Sequence, residues 1–214
     1  MRKLISFALA LVLSLLLSGC FLTSMEPWYE RGKTVYDPAL VGTWNMKNCS
    51  DNDDVKDQYC QMVIEPTEQE KDGKKDKGYH IAFRDEHGLA SEYEAVLFEA
   101  GGVRFMDTNM KEGPKVDIAF AVHVVAGHIA WKVAPGAQTL ALTPMKRSLA
   151  REATAAKLAT FDYDGDTILS GKTPEVQAFL AKYAMNPESY EKTLEWKKGA
   201  VPAAAAAKPA PKKK

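Results

Sequence analysis

The chain has 214 residues, of which 28 are Lys or Arg and 28 are Asp or Glu, a length that suggests one domain plus tails. This balance offers none of the basic excess that a nucleic-acid-binding face needs. Hydrophobic residues make up 46%, sufficient for a core of ordinary size.

The chain starts with a leader. Arg2 and Lys3 precede an apolar run from Leu4 to Leu17, which is too short for a membrane-spanning helix of ~20 apolar residues. A charged start, an apolar run and small residues before Cys20 make a secretory signal over residues 1–19. The stretch Leu17-Ser18-Gly19-Cys20 resembles the lipobox of bacterial lipoproteins. That resemblance implies diacylglycerol on the Cys20 thiol, palmitate-type acylation and a mature chain that begins at Cys20. Phe21 in place of an aspartate after the cysteine implies release to the outer membrane, with the anchored domain facing the periplasm or the cell surface. Without Arg2 and Lys3, the mature chain has 26 basic against 28 acidic residues.

Residues 20–38 contain Pro27, Gly32 and Pro38 and show no sustained period, so a lipid-anchored tether is expected. Within it, Trp28 and Tyr29 suit either the bilayer interface, where amphipathic aromatics are favoured, or packing on the domain. With Cys20 consumed by lipid, Cys49 and Cys60 remain. In an oxidising compartment their default state is a disulfide. A metal site on the same thiols lacks a third cysteine or nearby histidine.

A β domain is expected over 39–145. Apolar segments at 39–46, 61–65, 79–84, 92–99, 103–106, 116–125, 129–133 and 139–142 are separated by turn chemistry. Ile118, Phe120, Val122 and Val124 alternate, as do Ile129, Trp131 and Val133, and such period-2 runs mark an antiparallel meander. Gly101-Gly102, Glu112-Gly113-Pro114, Ala126-Gly127 and Pro135-Gly136 supply the reversals. The charged run 68–78 reads as a long solvated connection. Eight strands in up-and-down order close a barrel and leave no edge exposed.

Helices are expected over 146–198, packed on the barrel. Residues 146–160 are rich in helix formers and free of Gly and Pro. Val176, Phe179, Leu180 and Tyr183 recur at helical spacing behind Thr173-Pro174-Glu175, read as cap, first-turn proline and acid. Asn186-Pro187-Glu188 starts a third helix that runs to about Trp196 by the same logic. Residues 199–214, with five consecutive alanines and a Lys/Pro end, form a disordered basic tail. The fold class is therefore mainly β with C-terminal helices (α+β): an up-and-down eight-stranded barrel followed by two or three helices.

Gly42-Thr43-Trp44 resembles the Gly-x-Trp that opens the first strand of lipocalins and other calycin barrels, over a span of about Leu40 to Pro144. The resemblance implies a tryptophan plugging the closed end and an interior able to hold a small apolar molecule. Trp44, Phe83, Phe105, Phe120 and Trp131 are the candidate lining or core residues.

Motifs for chemistry are weak. A two-residue hairpin at Ala126-Gly127 pairs Val125 with His128 and Ala130 with His123, which puts both imidazoles on one face. Zinc needs three or four ligands, and nothing places His80 or His87 beside them. Asp162-Tyr163-Asp164-Gly165-Asp166 begins like a calcium loop, but its glycine comes fourth and Thr173 stands at the twelfth position. Gly165 to Thr173 is one residue too long between glycines for a phosphate-binding loop. No nucleophile elbow or paired metalloprotease histidines occur, so neither an enzyme nor a cofactor is expected. Two readings follow: a lipid-anchored binder of a small apolar ligand or lipid, or a structural lipoprotein whose solid barrel docks on an envelope protein or the cell wall.

Overall fold

The computed structural model describes residues 21–47, 59–71, 74–85, 88–112, 127–163 and 166–199. Alternating apolar residues dominate this part of the chain and build its strands: β1 (Thr23–Ser24), β2 (Thr34–Val35), β3 (Gly42–Lys47), β4 (Tyr59–Lys71), β5 (Lys74–Arg84), β6 (Ala90–Ala100), β7 (Val103–Glu112), β8 (His128–Pro135), β9 (Thr139–Pro144), β10 (Thr160–Tyr163), β11 (Asp166–Leu169) and β12 (Leu194–Lys198). Two helices, α1 (Leu149–Ala155) and α2 (Thr173–Tyr183), lie between β9 and β12.

Strands β3 to β9 each pair antiparallel with the next. β12 then pairs with both β9 and β3, closing an eight-stranded antiparallel barrel in up-and-down order. The barrel therefore does not end at residue 145, because its last strand arrives after both helices. The expected third helix is limited to a 3-10 turn, Pro187–Ser189, where the Asn186 side chain accepts the Glu188 N–H at 3.0 Å. Beyond it the chain is extended. The open seam between β9 and β3 offers two ladders of backbone hydrogen bonds, and this tertiary gain outweighs the local helical preference.

The strand expected at 116–125 lies outside the described residues, and β7 pairs directly with β8 from Phe105↔Lys132 to Asn109↔His128. The ladder neighbours of His128 are Asn109 and Ser24, while His123, Val125 and Ala126 of the expected hairpin lie outside the described residues. The charged run at 68–78 is also no loose connection. β4 and β5 stay in register to Lys71↔Lys74, with Glu68 opposite Lys77, a favourable cross-strand pair.

The helix expected at 146–160 is shorter. Lys157 adopts φ +60, Leu158 N–H donates to Ala153 O at 3.0 Å and Lys157 N–H to Thr154 O at 3.0 Å, a Schellman-type stop that uses lysine where glycine is usual. The chain then forms the β10–β11 hairpin, with pairs from Thr160↔Leu169 to Tyr163↔Asp166, across the stretch that begins like a calcium loop. α2 matches its periodicity: Val176, Phe179 and Leu180 are buried. Thr173 is its first residue and not its cap, and the Glu175 carboxylate instead accepts the Lys172 N–H at 2.8 Å.

From Phe21 onward the expected tether is docked. Leu22 and Trp28 are 2% and 0% exposed, and β1 is held between β8 and β11. Further on, Asp76 accepts from Gly32 N–H (2.9 Å) and Thr34 Oγ1 (3.0 Å), and Arg104 bonds Asp37 at 2.8 Å. This strap lies over the outside of β6–β8 together with α1 and α2. Those strands are thus buried on two faces, and Ala95-Val96-Leu97-Phe98 are all inaccessible. The Gly101-Gly102 turn between β6 and β7 has φ of +56 and +76, as a two-residue hairpin requires. A Cβ on Gly101 would lie 2.4 Å from the Ala181 carbonyl, so the same glycine lets α2 approach.

Candidate functional site

The strand period separates two cores. Along β7, Met106 and Thr108 face the barrel interior, whereas Phe105, Asp107 and Asn109 face outward. Along β8, Ile129, Trp131 and Val133 face in, and Ala130 faces out. One end of the interior is filled. There Trp44, fully buried, donates its indole N–H to Leu40 O at 2.8 Å, and Lys198 Nζ lies 5.3 Å from its ring centroid.

Toward the other end the interior holds a cavity of about 460 Å³. Its walls are apolar and aromatic, including Met62, Ile81, Phe83, Met106, Trp131 and Trp196. Phe83 meets Trp196 edge-on at 6.2 Å, and the Phe21 ring packs on Trp131 at 5.2 Å. Polar groups are few. Trp131 donates its indole N–H to Thr108 Oγ1 at 2.8 Å, and the Tyr93 hydroxyl accepts from Ser91 Oγ at 3.3 Å. An apolar chamber with two or three polar groups suits a small apolar molecule.

Of the expected lining residues, Phe83 and Trp131 border this cavity, and Trp44 lies in the filled end. Phe105 is a correction: it points outward and stacks on Phe98 at 5.8 Å, because its odd position on β7 places it on the strap side. Phe120 and His123 lie outside the described residues. Phe21 and Trp196 also line the cavity, the first from a stretch whose sequence reads as a tether and the second from one that reads as a helix. Met62, Met106 and Thr108 were open to discovery from the alternation of their own strands.

Cys60, 1% exposed on the cavity wall, is disulfide-bonded. No disulfide pair is complete among the described residues, and Cys49 and Cys20 both lie outside them.

No family model, curated protein or solved structure matches this chain. The residues themselves must therefore carry the functional reading.

A second polar cluster lies on the outer face. His128 Nδ1 is 3.0 Å from each Asp107 carboxylate oxygen, and Asp107, 2% exposed, also accepts the Trp28 N–H at 3.2 Å. The Trp28 indole N–H donates to His128 O at 3.0 Å. Burial pushes the Asp107 carboxyl above its ordinary range, and the hydrogen bond from His128 opposes this. Burial, then the charge of Asp107, raises the Tyr29 phenol to about 12. These bonds fasten the strap to the barrel. Among the described residues no group of three or more His, Cys, Asp or Glu could hold a metal ion; His80 instead faces Glu92 at 3.2 Å. No described helix is long and apolar enough to cross a membrane.

Proposed function

We propose that the protein is a cell-envelope lipoprotein, anchored at the outer membrane through Cys20, whose lipocalin-like barrel binds a small apolar molecule or lipid. The observation that carries this reading is the cavity of about 460 Å³ inside the barrel. The cavity is concave, opens to solvent and is lined almost wholly by apolar and aromatic side chains with few polar groups, the make-up of a site for a small apolar ligand. The fully buried Trp44 at the filled end supports the lipocalin-like part, and Leu17-Ser18-Gly19-Cys20 supports the anchor. The pairing of Cys60 with Cys49 belongs to the same proposal, because the lipid occupies the third cysteine. A structural lipoprotein with a solid barrel accounts less well for an interior that is not filled.

The test uses an unlipidated form, secreted behind an ordinary cleavable leader with Cys20→Ser, titrated with an anilinonaphthalene probe. Binding at one site, with energy transfer from Trp131, is expected. Ile129→Trp, which fills the chamber, should abolish it. Absence of saturable binding, or binding unchanged in the filled variant, would overturn the proposal.

A further inference from the structure

The cavity and the anchor meet at one residue. Phe21 borders the cavity and packs on Trp131, and its position is fixed by the bridge to Lys146 and by Leu22 N–H donating to Met145 O at 3.2 Å. Cys20 is the residue bonded directly to Phe21, so a lipid on its thiol would start within one residue of the cavity lining.

We propose that the cavity takes one acyl chain of the lipid carried by Cys20 itself. This inference rests on the lipid-binding reading above and names the occupant. Size supports a single chain: with a methylene taken as about the volume of a water, ~30 Å³, about 460 Å³ holds on the order of fifteen carbons. That is the scale of one long acyl chain. Chemistry supports an acyl tail over a polar ligand, because the walls are Phe21, Phe83, Met106, Ile129 and Trp131. Position supports Cys20 over a bilayer phospholipid. A chain attached beside the lining is held there permanently, as in any intramolecular binding event, whereas a phospholipid must leave its neighbours and bring its headgroup along.

The consequence concerns anchoring. Stable membrane attachment takes two lipid signals, a single chain giving only marginal and reversible binding. Withdrawing one chain into the barrel therefore leaves a weaker anchor and fills the void.

The test places a photoreactive aromatic in the wall of the full-length protein in cells, Phe83→benzoylphenylalanine, and in parallel at Ile129, so that a folding defect in one variant does not decide the result. After irradiation and digestion, the expected product joins the wall peptide to the lipid-modified N-terminal peptide. That product should disappear in the Cys20→Ser form secreted behind an ordinary leader, and should not arise from the same group at outward-facing Phe105. An adduct to free phospholipid or fatty acid in its place would overturn the Cys20 source while leaving the ligand reading intact. No acyl adduct at either wall position would overturn both.

Discussion

The two cores bury similar residues to different ends. Outside β6–β8, Trp28, Phe98, Phe105, Phe179 and Leu180 belong to one packed cluster that joins the strands to the strap and the helices. Inside the barrel, residues of the same kinds fill one end and, toward the other, line an open cavity of about 460 Å³. Because close packing is the ordinary outcome of folding, the outer core is explained by stability alone and the inner one is not.

The sharpest way to break this comparison is to truncate one aromatic in each core. Trp28→Ala removes a side chain with no exposure and leaves an internal hole, so a loss of about 3–5 kcal/mol is expected. Phe83→Ala enlarges a space that is already empty on one side, and its loss should fall below about 2 kcal/mol, since fewer contacts are forfeited. Urea unfolding of the unlipidated protein measures both. Equal losses would mean that the inner wall is packed as tightly as the outer.

The inner wall has a covalent support. Cys60 is a disulfide half on the cavity lining, and with Cys49 it would close a short polar loop, contributing about 3 kcal/mol by loop-closure entropy. Cys60→Ser should lose about that much and weaken probe binding in the chamber, where the outer core would be unaffected. Thiol alkylation of the unlipidated protein before and after reduction checks the bond. Free thiols in the unreduced protein would remove this support.

A smaller effect tests the outer clasp. Asp107→Ala leaves the Trp28 N–H and the His128 ring without their acceptor, at a cost of about 1–3 kcal/mol. The expected sign of detachment is faster proteolysis within the strap, at residues near Arg31 and Lys33.

Much of the barrel was legible because alternation is a local signal. Seven of the eight barrel strands, β3 to β9, fall on expected apolar segments, and α2 falls on Val176, Phe179 and Leu180. The errors share a cause: they involve partners distant in sequence. Tyr190 and Leu194 stand four apart behind a good capping sequence, yet β12 forms because β3 and β9, roughly 150 and 50 residues away, present open edges. The strap reads as a linker because its bonds run to Asp76 and Asp107, which nothing in residues 21–37 announces. Trp131 is legible as a lining residue from its alternation together with the barrel resemblance carried by Gly42-Thr43-Trp44, whereas Phe21 becomes one only through its bridge to Lys146. The void itself has no local signature, since a filled and a hollow barrel require the same pattern.

The pH dependence of the clasp gives the last and smallest difference between the cores. Asp107 lies wholly in the outer core, and burial raises its carboxyl above the ordinary value of 3.8, against the hydrogen bond from His128. A raised value in the folded state means that the fold holds the proton more tightly than the unfolded chain does. The contribution to stability is therefore complete below about pH 4 and is lost as pH rises through the folded value, with a slope of at most about 1.4 kcal/mol per pH unit for one proton. Asp107→Asn keeps an acceptor for Trp28 and removes the titration. Thermal unfolding of both proteins from pH 4 upward should show the variant gaining on the wild type as pH rises, by a few degrees, given ~2–4 °C per kcal/mol for chains of this size. Other carboxylates titrate in both proteins and cancel in the difference. A constant gap across the range would mean that the His128 bond offsets burial completely, and that the clasp is a neutral fastening with no dependence on pH.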